Sequence, residues 1–345
     1  MGADLKSAFV LASGAYAYIS PYFGNLENYP VQQRYEATIR KYVSLFGAVP
    51  KVVLADAHPQ YQSHQLGKAL AAEWGVAFKT LAHHEAHFYS VLAENDLLKS
   101  PDNVLGVIWD GTGLGTDGAI WGGEFFSYTA KAGSIRTNHF AYFPWLSNDK
   151  MAREPKLSLL SLSEDSTDEL KQRFSDTELR LYLQLRQRAT VQTSSVGRLF
   201  DALGSLLGCG DRNTFERQTA LYLETLARKN TEAATDLLGS IEYEHPSGAE
   251  IIRQLRKRKA SGQSSESLAA SFHLTLAKVI LREAERQNTP QVACSGGVFQ
   301  NAVLVELLRR TAQKQNIQIY FNQELSPNDE NIAFGQLHWW LNRLR

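Results

Sequence analysis

Val104-Leu105-Gly106-Val107-Ile108-Trp109-Asp110-Gly111-Thr112-Gly113-Leu114-Gly115-Thr116-Asp117-Gly118 is the stretch that decides the fold. Its first six residues are an apolar run, which reads as a strand buried on both faces. The run ends on an aspartate, crosses a glycine-rich loop, and is followed by a second predicted strand at residues 119–129. A dinucleotide fingerprint needs Gly-x-Gly-x-x-Gly and a following helix; here the sixth position is Thr116 and a strand follows. There is no Walker lysine. What remains is a glycine-rich hairpin that can offer backbone N–H groups and hydroxyls to phosphate. Ser295-Gly296-Gly297-Val298 lies between a predicted strand and a predicted helix, the setting of an anion site at a helix N-terminus. Two such loops in opposite halves favour a nucleotide held between two lobes.

Outward from this stretch, strands and helices alternate. Residues 7–12 and 15–20 flank Ser13-Gly14 as a hairpin, and residues 51–55 and 77–81 read as strands. Residues 32–46, 64–74 and 83–95 have helical spacing. The segment 143–156, with Pro144, Asn148 and Pro155, reads as a loop and divides a lobe at 1–145 from one at 146–345. Beyond it, residues 166–188, 195–207, 217–228 and 268–287 read as helices. Residues 241–265 read as a polar loop or insertion, and strands at 291–294 and 317–321 bracket a helix at 301–315. The alternation predicts an α/β fold.

His83-His84-Glu85-Ala86-His87 opens the predicted helix after a strand. His83 and His87 are four apart, so their rings share one helix face, a spacing that suits chelation. The metalloprotease pattern fails, because Phe88 stands four beyond His84. Asp110 ends a strand and Asp329 lies in a turn; two imidazoles with such carboxylates make a mixed nitrogen and oxygen site for Fe²⁺, Mn²⁺ or Zn²⁺. The residues alone leave open a helix start with solvated histidines and an ordinary turn aspartate.

Composition excludes several classes. A chain of 345 residues with 43% hydrophobic and 21% charged residues is ordinary globular material, not a disordered or coiled-coil sequence. Lys+Arg 36 balance Asp+Glu 36, which removes the global electrostatic case for nucleic acid. The basic run 253–259 reads as one face of a solvated helix. Two cysteines build neither a disulfide framework nor a four-thiolate zinc site, so a reducing cytoplasm is the expected compartment. Cys294 reads as a small residue in a buried strand and Cys209 as a turn residue. No apolar run reaches the roughly 18 residues of a membrane span, and the N-terminus has no signal-peptide core.

The motifs also occur in a telling order: Leu5-Lys6, Asp56-Ala57-His58-Pro59, His83 to His87, Asp110 to Gly118, Arg153-Glu154-Pro155, Ser194-Ser195-Val196-Gly197-Arg198-Leu199-Phe200-Asp201, Ser295 to Asn301, and Pro327-Asn328-Asp329 before Gly335-Gln336. From about residue 2 to 340 this set resembles the C-terminal carbamoyltransferase domain of HypF-type nickel–iron hydrogenase maturation proteins. Those are relatives of the tRNA threonylcarbamoyl-transferases and the antibiotic O-carbamoyltransferases. The resemblance implies an actin/hexokinase-like (ASKHA) α/β fold, two ribonuclease-H-like lobes with a nucleotide cleft between them. It implies a divalent metal on His83, His87, Asp110 and Asp329, Fe²⁺ first with Mg²⁺ or Zn²⁺ as alternatives, touching the phosphates of ATP, AMP or carbamoyl-adenylate. It places the first phosphate loop on Asp110, Gly111, Thr112 and Gly113. Ribose contacts fall on Gly197, Asp201 and Glu216, and the second phosphate loop on Gly296 and Gly297 near Asn301. Lys6 and Arg153 are the candidate catalytic cations.

The implied activity is carbamoyl transfer from carbamoyl-adenylate to the C-terminal cysteine thiolate of the partner HypE. The chain has no Cys-x-x-Cys pair, and its first residues already resemble the start of the transferase domain, so only the second half-reaction is expected of it. Two alternatives stand beside it: an O- or N-carbamoyltransferase acting on a small molecule, and a nucleotide-binding scaffold without turnover. Three places depart from the family's usual wording. Ser147-Asn148-Asp149 stands for Gly-Gly-Asp, Glu216-Arg217-Gln218 for Glu-Gly-Gln, and Glu330-Asn331-Ile332 follows Asp329 in place of Gly-Gly-Leu or similar.

Overall fold

A computed structural model describes residues 1–47, 49–163, 168–239 and 244–344. Its strands are β1 (Val10–Ser13), β2 (Tyr16–Ile19), β3 (Val52–Asp56), β4 (Ala77–Leu81), β5 (Val104–Leu114), β6 (Ile120–Thr129), β7 (Gly133–His139), β8 (Phe143–Pro144), β9 (Gln192–Thr193), β10 (Gln291–Ser295) and β11 (Gln318–Phe321). The helices are α1 (Tyr29–Leu45), α2 (Gln62–Trp74), α3 (His83–Glu94), α4 (Lys150–Arg153), α5 (Pro155–Ser161), α6 (Asp168–Lys171), α7 (Asp176–Gln187), α8 (Val196–Leu207), α9 (Gln218–Arg228), α10 (Gly248–Ala260), α11 (Ser265–Arg286), α12 (Ala302–Gln313) and α13 (Ile332–Arg343).

A seven-stranded sheet in the order β11-β10-β5-β6-β9-β8, with β7 on β6, forms the centre. β10 pairs parallel with both β5 and β11, so the sheet draws strands from both sides of residue 145. Alternate residues of β5 enter opposite cores. Leu105, Val107 and Trp109 join one with α8 and α11, while Val104 and Ile108 join the other with α3 and Ile332. Burial on both faces is why this strand reads as a continuous apolar run. Helix α13 crosses α3 closely: a Cβ at Gly335 would lie 1.8 Å from the Ala86 carbonyl oxygen. That close approach brings residues 329–331, just ahead of α13, onto the first turn of α3.

Several expectations are corrected. Residues 143–156 are not a plain loop but hold β8, α4 and the start of α5. Pro155 opens α5 at its first position, where a missing N–H costs nothing, and Leu157, Leu159 and Leu160 drive the helix into the core. Within 241–265 lies α10, whose buried stripe of Ile251, Ile252 and Leu255 is hidden among polar residues and whose N-cap Ser247 accepts from Glu250 N–H. Its basic residues are in that helix, as expected. The predicted helix 166–188 is two helices, because Ser175 and Glu178 form a capping box that starts α7 afresh. Residues 166–167 and 241–243 lie outside the described residues. The strand β7 went unpredicted; its polar sequence, Gly-Ser-Ile-Arg-Thr-Asn-His, is that of a sheet edge.

His273, inside α11, carries a pH signature. Its Nδ1 lies 2.7 Å from the Ala269 carbonyl oxygen and its Nε2 3.1 Å from Asn301 Nδ2, the pattern of a neutral ring. Burial lowers its pKa from 6.5 to about 4. The unfolded chain therefore takes up a proton between those values that the folded chain refuses. The associated stability is present above pH 6.5 and is lost as pH falls towards 4, by about 3 kcal/mol. Urea titrations at pH 7 and pH 4.5 should show this loss, and His273→Gln should reduce it; an equal loss in the variant would remove His273 as the source.

Candidate active site

The two histidines are placed by the abrupt junction of β4 and α3. The helix begins at His83, so His83 and His87 leave one face a turn apart, both fully enclosed. Their outer nitrogens are tied down: His83 Nδ1 lies 2.8 Å from Asp56 Oδ2 at the end of β3, and His87 Nδ1 lies 2.9 Å from Asn331 Oδ1. The Asn331 amide nitrogen in turn donates to the Ser326 carbonyl at 2.9 Å and to Ser295 Oγ at 3.3 Å. Both Nε2 atoms then face Asp110 and Asp329. His83 Nε2 lies 3.5 Å from Asp110 Oδ2 and 3.8 Å from Asp329 Oδ1; for His87 Nε2 the separations are 3.8 and 3.9 Å.

The four donor atoms all lie within 4.8 Å of one another. Neither Nε2 has a hydrogen-bond partner among the described residues, although both are buried. Orphaned buried nitrogens are rare, and a shared cation about 2.0–2.2 Å from each donor would satisfy them after a small contraction. The residues present thus fit the divalent metal that the motif suggests. The charges agree. Burial opposes a proton on His83, but the carboxylates of Asp110, Asp56 and Asp329 hold its pKa well above the ordinary value. Burial likewise works against charge on Asp110, yet the two histidines keep it well below the carboxylate range, whereas burial pushes Asp329 up.

Beside this cluster opens a cavity of ≈ 780 Å³, large enough for a nucleotide. Asp110, Gly111 and Thr112 reach it because the β5–β6 register slips between Trp109 and Gly113, lifting them out of the ladder. Gly113 does not reach it; it faces the rings of His84 and His83. Gly197 and Asp201 line it from α8. A Cβ at Gly197 would stand 2.8 Å from Gly111 Cα, so the helix start and the first loop touch backbone to backbone. Ser195 locks that contact, donating to the Gly111 carbonyl at 2.6 Å while accepting from Arg198 N–H at 3.2 Å. Asp201 is buried beside Arg198, 2.8 Å away, and burial pushes its pKa up.

The second loop departs from expectation. The N–H of Gly296 donates to the Pro327 carbonyl at 2.8 Å, and that of Gly297 to Asp110 Oδ1 at 3.1 Å. These two groups orient the metal-facing carboxylate and the Asp329 segment; they are not free for a phosphate. Asn301 lines the cavity, but its Oδ1 caps α12 at Leu304 N–H and its Nδ2 meets His273. Lys6 and Glu216 pair across the cavity at 2.6 Å. Burial opposes the Lys6 charge, yet Asp329, Glu216 and Asp110 raise its pKa. Arg153 lines the cavity, exposed and without an ion-pair partner among the described residues.

Three contributors carried no assigned role in the sequence. Asp56 belongs to a quoted motif and Asn331 to a departure; each proves to orient a histidine. Glu124, fully buried, accepts from the N–H groups of Gly122 and Gly123 and from the hydroxyl of Ser194, the residue ahead of the α8 cap. Arg136 Nε answers its charge at 2.6 Å. Cys294 is fully buried and Cys209, half-buried, follows α8; neither lines the cavity, and burial raises both thiol pKa values, which disfavours the thiolate.

Comparison with known proteins accords with this geometry. Residues 106–336 match the family model described as carbamoyltransferase, Kae1-like domain, second subdomain, and residues 1–94 match the HypF Kae1-like domain. The chain is 33% identical over 365 residues to carbamoyltransferase HypF of Synechocystis sp., covering 98% of this chain and 46% of that protein. It is 30% identical over 354 residues to the carbamoyltransferase HypF homolog of Cupriavidus necator, covering 97% of this chain and 89% of that protein. It is similar to the crystal structure of full-length HypF in the phosphate- and nucleotide-bound form, with TM-score 0.88, 29% identity, and coverage of 99% of this chain and 54% of that one. It thus spans about half the length of full-length HypF. The α/β fold is that of the corresponding part of full-length HypF, as the resemblance implied. No helix among the described residues is long and apolar enough to cross a membrane. A glycine-loop cavity bounded by a histidine–aspartate cluster, in this fold and with these matches, means that the chain belongs to the HypF Kae1-like carbamoyltransferase family.

Proposed function

We propose that the chain transfers a carbamoyl group from carbamoyl-adenylate to a thiolate carried in by a partner, the C-terminal cysteine of a HypE-type acceptor. The observation that supports this most is the meeting of His83, His87, Asp110 and Asp329, drawn from three distant stretches, at the edge of a nucleotide-sized cavity in a chain of this family. The thiolate attacks the carbamoyl carbon and a C–S bond forms. The bond from that carbon to the phosphate oxygen breaks, and AMP leaves with the electron pair. The electrophile is already activated, so positioning and charge stabilisation are what the protein must add.

A cation on the four-residue cluster would act as a Lewis acid on the phosphate. Asp56 and Asn331 fix the ring orientations that make such a site. Lys6, held charged beside Asp329, offers its ammonium to the phosphate in exchange for Glu216. Arg153 is the second cation at the cavity. Neither cysteine lines the cavity, which suits an acceptor that brings its own thiolate, and two free cysteines suit the reducing cytoplasm.

The test is to mix the chain with carbamoyl-adenylate and HypE and to weigh HypE by mass spectrometry. HypE should gain one carbamoyl group, and HypE with its terminal cysteine replaced by serine should not. No gain on HypE while AMP is released would reject this acceptor; no gain and no release would reject transfer altogether.

A further inference from the structure

We propose that Arg217 determines specificity in this cavity, its guanidinium reading an anionic phosphate on the adenine nucleotide; the inference rests on the nucleotide reading above. Arg217 stands immediately before α9, in the left-handed region at φ +63. For a long side chain that backbone is strained, and such outliers concentrate at binding sites. The strain places Arg217 on the cavity wall, next to Glu216 and across from the loop after β10.

Its partners there leave the charge unanswered. The guanidinium donates to the side-chain carbonyl of Gln300, whose own amide nitrogen donates to Ser326 Oγ at 3.3 Å. No carboxylate lies within 4 Å of Arg217 among the described residues, whereas Lys6 is engaged by Glu216 and Arg198 by Asp201. A half-buried guanidinium facing a neutral amide is an anion site in waiting, because a charge-assisted and bidentate partner is roughly twice as strong.

The position fits a phosphate. Gln300 ends the single 3₁₀ turn Gly297–Gln300, and the first residue of that turn donates to Asp110 Oδ1. Arg217 and the carboxylate that faces both histidines therefore line one cavity and are linked through this short turn. A phosphate bound beside that carboxylate's cation site would share this cavity with the arginine. Adenosine, being neutral, gives Arg217 nothing that Gln300 does not already give.

Titration calorimetry of the whole chain with AMP and with adenosine, at fixed magnesium, tests the assignment. Wild type should prefer AMP. Arg217→Gly should weaken AMP about tenfold or more and leave adenosine within twofold. Glycine tolerates the left-handed backbone, so the ligand-free variant should melt no lower than wild type. Arg217→Asn, which also tolerates that backbone, should reproduce the loss. An unchanged AMP preference in both variants, or an equal loss for both ligands, overturns the arginine's role and leaves the nucleotide reading standing. Failure of wild type to bind either ligand removes the nucleotide reading and this proposal together.

Discussion

Replacing His83 and His87 together by alanine is expected to abolish divalent-cation binding, measured by calorimetry and by metal content after dialysis. The two rings supply two of the four donors, and the Nε2 of each is buried without a hydrogen-bond partner among the described residues. Asp56→Asn keeps every donor but loosens the orientation of His83, and should weaken the cation by about 10–100-fold. The pH dependence has a definite sign. A neutral imidazole is what binds a cation, and the surrounding carboxylates hold a proton on His83 above its ordinary range. Binding must therefore expel that proton, and affinity should rise with pH, by up to about tenfold per unit, until the proton is lost without help. Unchanged cation affinity in the double variant, with its circular dichroism intact, would sink the assigned ligands.

Arg136→Ala should destabilise the fold by about 3 kcal/mol, read from urea unfolding at neutral pH. The substitution leaves the Glu124 side chain fully buried and without its partner, and breaking one partner of such a pair carries that order of penalty. Arg136 also sits 4.0 Å over the Trp121 ring and contacts Asp117 at 3.1 Å, so packing is lost with the charge. Because Glu124 holds Ser194, the damage should spread to the start of α8 and weaken nucleotide binding. The double change Glu124→Gln with Arg136→Met removes both charges and should recover part of the stability. A loss below about 1 kcal/mol in the single variant would mean that water reaches Glu124 after all.

The central strand was legible because composition carries burial on two faces: Val104, Leu105, Val107, Ile108 and Trp109 divide between two cores, and only a covered strand can be apolar throughout. Its neighbour β10 was legible as a strand at 291–294, but their pairing was not, since a parallel register between residues 105 and 292 leaves no local mark in the chain. Helix α10 was misread because three buried apolar residues sit among polar and basic ones. The histidine pair was legible from its spacing, but what aims it was not. The bonds from Asp56 and Asn331 exist only after β3 and the Asp329 segment are folded against α3. The glycines of the second loop misled for a related reason. Their N–H groups look available in a sequence, and three-dimensional packing gives them Pro327 and Asp110. The departures from glycine at Ser147, Asn148 and Arg217 all fall on left-handed backbone, which explains why glycine is comfortable there.

Asn331 holds His87 with one end of its amide and the strand end at Ser295, together with the Ser326 backbone, with the other. A rotation of that single side chain cannot relax one grip without relaxing the other. Any occupant that tightens His87 thus leaves its imprint on the segment leading into the loop at Gly296, and the reverse must hold by thermodynamic reciprocity: whatever factor one occupant adds to the other's affinity, it receives back in equal measure.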